Sequence, residues 1–325
     1  MKTNGIVICR PQGGLNDMFC QIYKCLRYAV RHKRMLYVDT EENPKFLEPL
    51  GLYFKPLSPN LKFTDRAGAN EILRNARSGV AYNFSWDYEA VWDTKSLSFV
   101  EETSREKLTF DFKRSHDDEV LLHHQAGGGL DSGRLLLLMT LTPHLKNLLA
   151  TRLSMFPRDY SAAHVRYTDY ESDYKNYLPK TISKEIKVLF LSTDNDQVVE
   201  WARIKMPGVQ TVNYQRSNNR NIESICDLFM LANGRTVIPV PLVNNGVAFS
   251  GYSRLASLMW MSLSRSLLVP SFPQLFMIVR AIGGVRNPIM SMLRLIAFSP
   301  LLIQSRFSKF GVVADFRKMT QKFRA

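Results

Sequence analysis

Ile6-Val7-Ile8-Cys9-Arg10-Pro11-Gln12-Gly13-Gly14-Leu15-Asn16-Asp17-Met18-Phe19 is the stretch on which the fold turns. Residues 6–10 form a short apolar run and read as a buried strand. Pro11, Gln12, Gly13 and Gly14 make a turn. From about residue 16 to residue 33, Met18, Ile22, Cys25, Leu26 and Ala29 recur at helical spacing, and Asn16 or Asp17 can cap that helix. Residues 35–39 read as the next strand. Strand, glycine turn, helix, strand is the opening of a parallel α/β unit, because parallel strands need a crossover between them.

Outward from there, residues 43–118 are interrupted by Pro44, Pro49, Pro56 and Pro59 and show no regular pattern. Residues 135–156 read as one long helix, with a Thr142-Pro143 signal and leucines along one side. A second α/β series starts near Tyr160. It has strands at 162–166, 187–192, 209–213 and 236–240, and helices at 197–205, 222–232 and 253–261. The chain is therefore expected to hold a Rossmann-like domain over 1–157, a second one over 158–265, and a basic, apolar helical tail over 266–325. Two such halves joined at Pro157-Arg158-Asp159 would face a cleft, where open sheets place ligands at the carboxyl ends of strands.

Composition narrows the function. A chain of 325 residues with 45% hydrophobic and 22% charged residues can bury a sizeable core. Cys9, Cys20, Cys25 and Cys226 form no CxxC pair, and they read as buried reduced thiols. The opening Met1-Lys2-Thr3-Asn4-Gly5 has no secretory pattern. The longest uncharged run near the C-terminus, between Arg265 and Arg280, is too short to span a bilayer. A net charge of +14 calls for an anionic partner. From Ser266 onward nine cations face one acid, Asp315, and they alternate with large apolar residues. That mixture suits an anionic membrane surface rather than nucleic acid. The expected location is cytoplasmic, peripheral on the inner face of the membrane.

Four places could carry chemistry. Gly13 and Gly14 let a ligand approach the backbone at a helix start, where an anion can sit; a tight turn with an Asn or Asp cap explains them equally well. In His164-Val165-Arg166-Tyr167-Thr168-Asp169, His164 and Arg166 share a strand face. The guanidinium can clamp a pyrophosphate, or pair with Asp169. In Leu191-Ser192-Thr193-Asp194-Asn195-Asp196, Asp194 and Asp196 form a DxD that could hold a divalent cation, or cap the following helix. In Ser250-Gly251-Tyr252-Ser253-Arg254, hydroxyls at a helix start suit a phosphate, or Ser253 is a plain N-cap.

Taken in order with the acidic helix Cys226-Asp227-Leu228-Phe229-Met230 and with Phe249 and Leu255-Ala256, these segments resemble the fucosyltransferase superfamily of α1,2-, α1,6- and protein O-fucosyltransferases. The likeness runs from about Ile6 to Met261. It implies a GT-B fold, with the domain over 1–157 on the acceptor side and the domain over 158–265 binding the donor, and an inverting, metal-independent transfer of L-fucose from GDP-fucose, with no further cofactor. By position it implies that Arg166 binds the donor diphosphate, that Asp194 and Asp227 lie toward the nucleoside, and that Ser250 and Ser253 contact phosphate. Gly13 and Gly14 would approach the donor, and Asn16 and His164 would sit between donor and acceptor. The chain carries Tyr167 where the family has a second arginine, and GGLND where it has GGLGNQ. Asp17, His164 and Asp169 are candidate general bases. The expected acceptor is a glycan or lipid-linked oligosaccharide. Two rivals stand beside this reading: a glycosyltransferase that holds Mn²⁺ or Mg²⁺ on Asp194 and Asp196, and a non-catalytic membrane-associated protein in which Tyr167 marks lost chemistry.

Overall fold

The structure is a computed structural model that describes residues 5–76, 88–157, 159–167, 169–182, 185–214, 219–243 and 249–263. The tail expected over 266–325 lies outside the described residues. The chain divides into two compact units between Thr142 and Pro143.

The first unit begins with β1 (Ile6–Gln12), α1 (Leu15–Arg31) and β2 (Met35–Val38), as the opening stretch predicts. It continues with β3 (Phe54–Pro56), β4 (Leu61–Phe63), α2 (Arg66–Asn75), β5 (Ala90–Asp93), β6 (Ser98–Glu101), β7 (Val120–Ala126), α3 (Ser132–Leu136) and β8 (Met139–Leu141). Its main sheet has the order β4-β2-β1-β7 and is parallel throughout. β1 is central and its residues 7–12 are all buried, the ordinary state of a strand covered on both faces. α1 turns Met18, Phe19, Ile22, Cys25 and Ala29 fully inward. Burying each large apolar side chain contributes about 1.5–3 kcal/mol.

The second unit comprises α4 (Pro143–Ser154), β9 (Ser161–Val165), α5 (Tyr174–Thr181), β10 (Val188–Thr193), α6 (Asp196–Lys205), β11 (Gln210–Val212), α7 (Arg220–Asn233), β12 (Val237–Pro239) and α8 (Gly251–Leu263). Its sheet, β11-β10-β9-β12, is also parallel. Counted in chain order, both sheets run third, second, first, fourth strand. That is the Rossmann half-sheet, whose direction of growth reverses between the first and fourth strands. The reversal lies between β1 and β7 in the first unit, and between β9 and β12 in the second.

Two expectations are corrected. Residues 135–156 are not one helix: β8 interrupts them and pairs antiparallel with β3, Phe54 opposite Leu141 and Pro56 opposite Met139. Pairing with a distant strand overrides the local leucine periodicity, and α4 falls with the second unit. Among its described residues the proline-broken region contains β3 to β6, α2 and a 3-10 turn at Leu50–Leu52; its strands of three or four residues are too short to show a period. All four cysteines are free and buried. Among the described residues, no helix is long and apolar enough to cross a membrane.

Candidate functional site

In the second unit, β9 delivers His164 and Arg166 to the carboxyl edge of the sheet. Ser250 caps α8, its Oγ accepting the Ser253 N–H at 3.1 Å. The expectation that Ser253 is the cap is therefore corrected. Ser253 lies in the first turn of α8 and its hydroxyl meets His164 Nδ1 at 2.9 Å. Ser250 Oγ is 3.3 Å from the same nitrogen and 3.0 Å from Ser253 Oγ. All three side chains are buried. Burial pushes the His164 imidazole down to about 4, with Arg166 adding to the effect and Asp194 opposing it. The histidine is thus neutral at pH 7; Ser253 Oγ is its nearer partner and itself accepts the Ser250 hydroxyl.

Arg166 faces the other way in energetic terms. Its Nε donates to Asp169 Oδ1 at 2.5 Å and its Nη2 donates to Oδ2, while the guanidinium lies 5.0 Å from the Tyr170 ring centre. Partial burial works against its charge, and the Asp169 carboxylate more than restores it. The pair is part-exposed, at 23% and 41% of the side-chain surface, so water can help to exchange one partner for another. The structural Arg–Asp pair and the donor clamp therefore involve the same group. Tyr167 stacks edge-on against Tyr174, and its backbone N–H donates to Asp194 Oδ1 at 2.8 Å.

The DxD is also clarified. Asn195, not Asp194 or Asp196, caps α6 by accepting the Gln197 N–H at 2.9 Å. Asp194 ties the ends of β9 and β10 together, whereas Asp196 is exposed in the first turn. Among the described residues, no group of three or more His, Cys, Asp or Glu side chains could hold a metal ion. Asp227 on α7 accepts the Ser192 hydroxyl at 2.8 Å. Sequence reading passed over Arg152, which donates to both oxygens of Glu223 at 2.8 and 2.6 Å and stacks on Tyr214 at 4.8 Å. An arginine on a leucine-rich helix gives no local sign of these contacts.

In the first unit, Gly13 takes φ +96°, and an added Cβ would stand 2.9 Å from Asp17 Oδ2. Glycine is required there. Beside Gly14 there is open space. Gly14 is itself the N-cap of α1 and no side chain caps the helix, so Asn16 and Asp17 do not play the capping role the sequence offered. Asn16 is buried, accepts the Ser132 hydroxyl at 2.8 Å and leaves its Nδ2 without a partner.

At the level of sequence, no protein-family model and no curated protein matches the chain. Solved structures do. The fucosyltransferase NodZ from Bradyrhizobium superposes with a TM-score of 0.52 at 17% identity, over 79% of this chain and 93% of that one. The chain has a fucosyltransferase fold. NodZ α-1,6-fucosyltransferase soaked with GDP-fucose gives 0.50 at 18% identity, over 79% of this chain and 92% of that one. POFUT1 in complex with GDP-fucose gives 0.51 at 12%, over 79% and 94%. The two parallel sheets and their helices are the mixed α/β architecture of GT-B fucosyltransferases.

Proposed function

We propose that this protein is an inverting glycosyltransferase that moves L-fucose from GDP-fucose to a glycan or lipid-linked oligosaccharide. One observation carries the reading. The residues of the second unit that resemble the fucosyltransferase motifs, far apart in the chain, gather at the carboxyl edge of one parallel sheet, in a fold shared with proteins solved with GDP-fucose.

In this reading the diphosphate takes the place of Asp169 on the Arg166 fork, a planar bidentate partner for phosphate oxygens. As an acceptor hydroxyl attacks C1 of fucose and gives its proton to a base, for which Asp17, His164 and Asp169 are the candidates, the bond from C1 to the phosphate oxygen breaks and the guanidinium stabilises the charge gathering on GDP. Asp194 and Asp227 accept hydrogen bonds toward the nucleoside. Burial keeps His164 neutral, Ser253 and Ser250 orient it, and the α8 backbone N–H groups face phosphate. In the first unit, Gly13, Gly14 and Asn16 remain ligand-binding residues at the uncapped start of α1. The basic tail binds an anionic membrane surface.

Melting the full chain with GDP-fucose, GDP-mannose and UDP-sugars tests the donor. A ligand at a hundred times its dissociation constant stabilises by about 2.7 kcal/mol, so GDP-fucose should raise the melting temperature and be turned over with acceptor. No shift with GDP-fucose sinks the reading. The closed Arg166–Asp169 pair and Tyr167 favour a second reading, a nucleotide-sugar binder without turnover; binding with no transfer would support it.

A further inference from the structure

At the sheet reversal of the first unit lies a buried polar cluster that the proposed function does not use. Arg10 of β1 donates from Nε to Asp39 Oδ2 at 3.0 Å, from Nη1 to Tyr88 Oη at 2.8 Å and from Nη2 to Asn70 Oδ1 at 2.5 Å. Each of its nitrogens thus has a partner, although Nη1 and Nη2 each carry a second hydrogen. Glu42 gives Oε1 to Arg66. Its Oε2 is buried, 3.5 Å from Arg10 Nη1 and 3.4 Å from His124 Nδ1, and makes no hydrogen bond. His124 Nδ1 also lies 3.0 Å from the Tyr88 phenol oxygen, which accepts from Arg10.

Two donors of the same unit, at the end of β1 and the start of α1, are in the opposite condition. Gln12 Nε2 and Asn16 Nδ2 are buried, on side chains 3% and 2% exposed, and neither has a partner. Gln12 is two residues beyond Arg10 on β1 and so shares its face. Asn43 Nδ2 donates to Gly13 O at 2.8 Å, which pins the loop bearing Glu42 against the turn that follows Gln12. Buried groups left unpaired cost about 1–3 kcal/mol each and call for a partner.

We infer that this edge is a hydroxyl-recognition site, where the Glu42 carboxylate and the Gln12 and Asn16 amides hold a saccharide. A sugar hydroxyl both donates and accepts, so it supplies the hydrogen that Glu42 lacks and the oxygens that the amides lack. A free anion would meet the Glu42 and Asp39 charges. A cation would meet Arg10 and Arg66. A neutral polyol meets neither objection. Burial raises the Glu42 carboxyl despite both guanidiniums, as expected of an oxygen short of donors. The class of ligand rests on the glycosyltransferase reading; the unmet hydrogen bonds do not.

Saturation-transfer-difference NMR on the full chain, with glucose, galactose, N-acetylglucosamine, cellobiose and lactose as probes, tests the site. At least one should bind the wild-type protein, and Glu42→Gln should weaken it about tenfold or more, since a hydrogen bond to a charged group is lost. Gln12→Met guards against misfolding, because the amide nitrogen it removes has no partner to lose. It should leave the melting temperature equal or higher while still weakening the sugar about tenfold. The GDP-fucose melting shift should survive in both variants. Protein that binds GDP-fucose but none of these sugars overturns the inference and leaves the proposed function standing, and so does Gln12→Met that binds sugar like wild type. Sugar binding lost in both variants, in protein that ignores GDP-fucose, supports the site and removes the donor reading.

Discussion

The carboxyl edges of the two sheets have the same topology and opposite electrostatics. In the first unit, Arg10 and Asp39 are sealed, with side chains 2% and 0% exposed, inside a network that includes Tyr88, Asn70, Glu42 and His124. In the second, the ion pair of Arg166 and Asp169 is part-exposed, and the buried groups are neutral: His164, Ser250 and Ser253. A sealed pair in low dielectric is expensive to break, because the surviving charge has nowhere to go. A part-exposed pair only three residues apart can trade its carboxylate for another anion at little cost. The Arg10–Asp39 pair is therefore built to stay as it is, and the Arg166–Asp169 pair to exchange partners.

The largest expected effect breaks the sealed pair. Arg10→Met leaves Asp39 buried without its cation and should cost roughly 3–5 kcal/mol of stability, read as a large fall in urea midpoint or failure to fold. Stability close to wild type would mean that the cluster relaxes and that the contrast between the edges is false.

Arg166→Ala should do the reverse. Its exposed pair contributes about 0–1 kcal/mol, so circular dichroism and melting should hardly move, while transfer falls by roughly a hundredfold or more. Arg166→Lys should be nearly as impaired, because the ammonium keeps the charge and loses the fork. Near-normal turnover in a folded Arg166→Ala protein would reduce Arg166 to a structural partner of Asp169.

Acid should distinguish the units next. Burial holds His123 well below its ordinary value, pushes His124 down to about 3 and pushes His164 down to about 4. An unfolded histidine titrates near 6.5. As pH falls below that, the unfolded chain takes up protons that the native imidazoles refuse, so stability declines with pH and the loss continues toward 4 for His164 and toward 3 for His124. Each titrating histidine adds at most about 1.4 kcal/mol per pH unit. With two of the three on β7, hydrogen-exchange protection, taken relative to the intrinsic rate at each pH, should fall more there than on β9 between pH 7 and 5. Equal loss of protection on both strands would show that the two edges share one acid response.

The smallest effect expected is none. If Arg166 and helix starts neutralise the leaving diphosphate, transfer should be unchanged in EDTA. Loss that Mn²⁺ restores would make ligands of Asp194 and Asp196 and put the second edge in a different chemical class.

The sequence by itself determined the strand–turn–helix–strand opening, the second α/β series and the segments that resemble fucosyltransferases. Those depend on residues close in the chain, where a glycine turn or an alternating strand face is legible. Tertiary structure alone decided the rest. β8 became a strand because β3, far back in the chain, offered it backbone partners. Ser250 rather than Ser253 became the cap because His164 claims the second hydroxyl. Arg10, Glu42, Tyr88 and His124 met because three strand ends and a helix converge on one point. None of these residues stands out in its own segment: a hydrogen bond takes its meaning from which groups have partners, and the chain acquires partners only by folding.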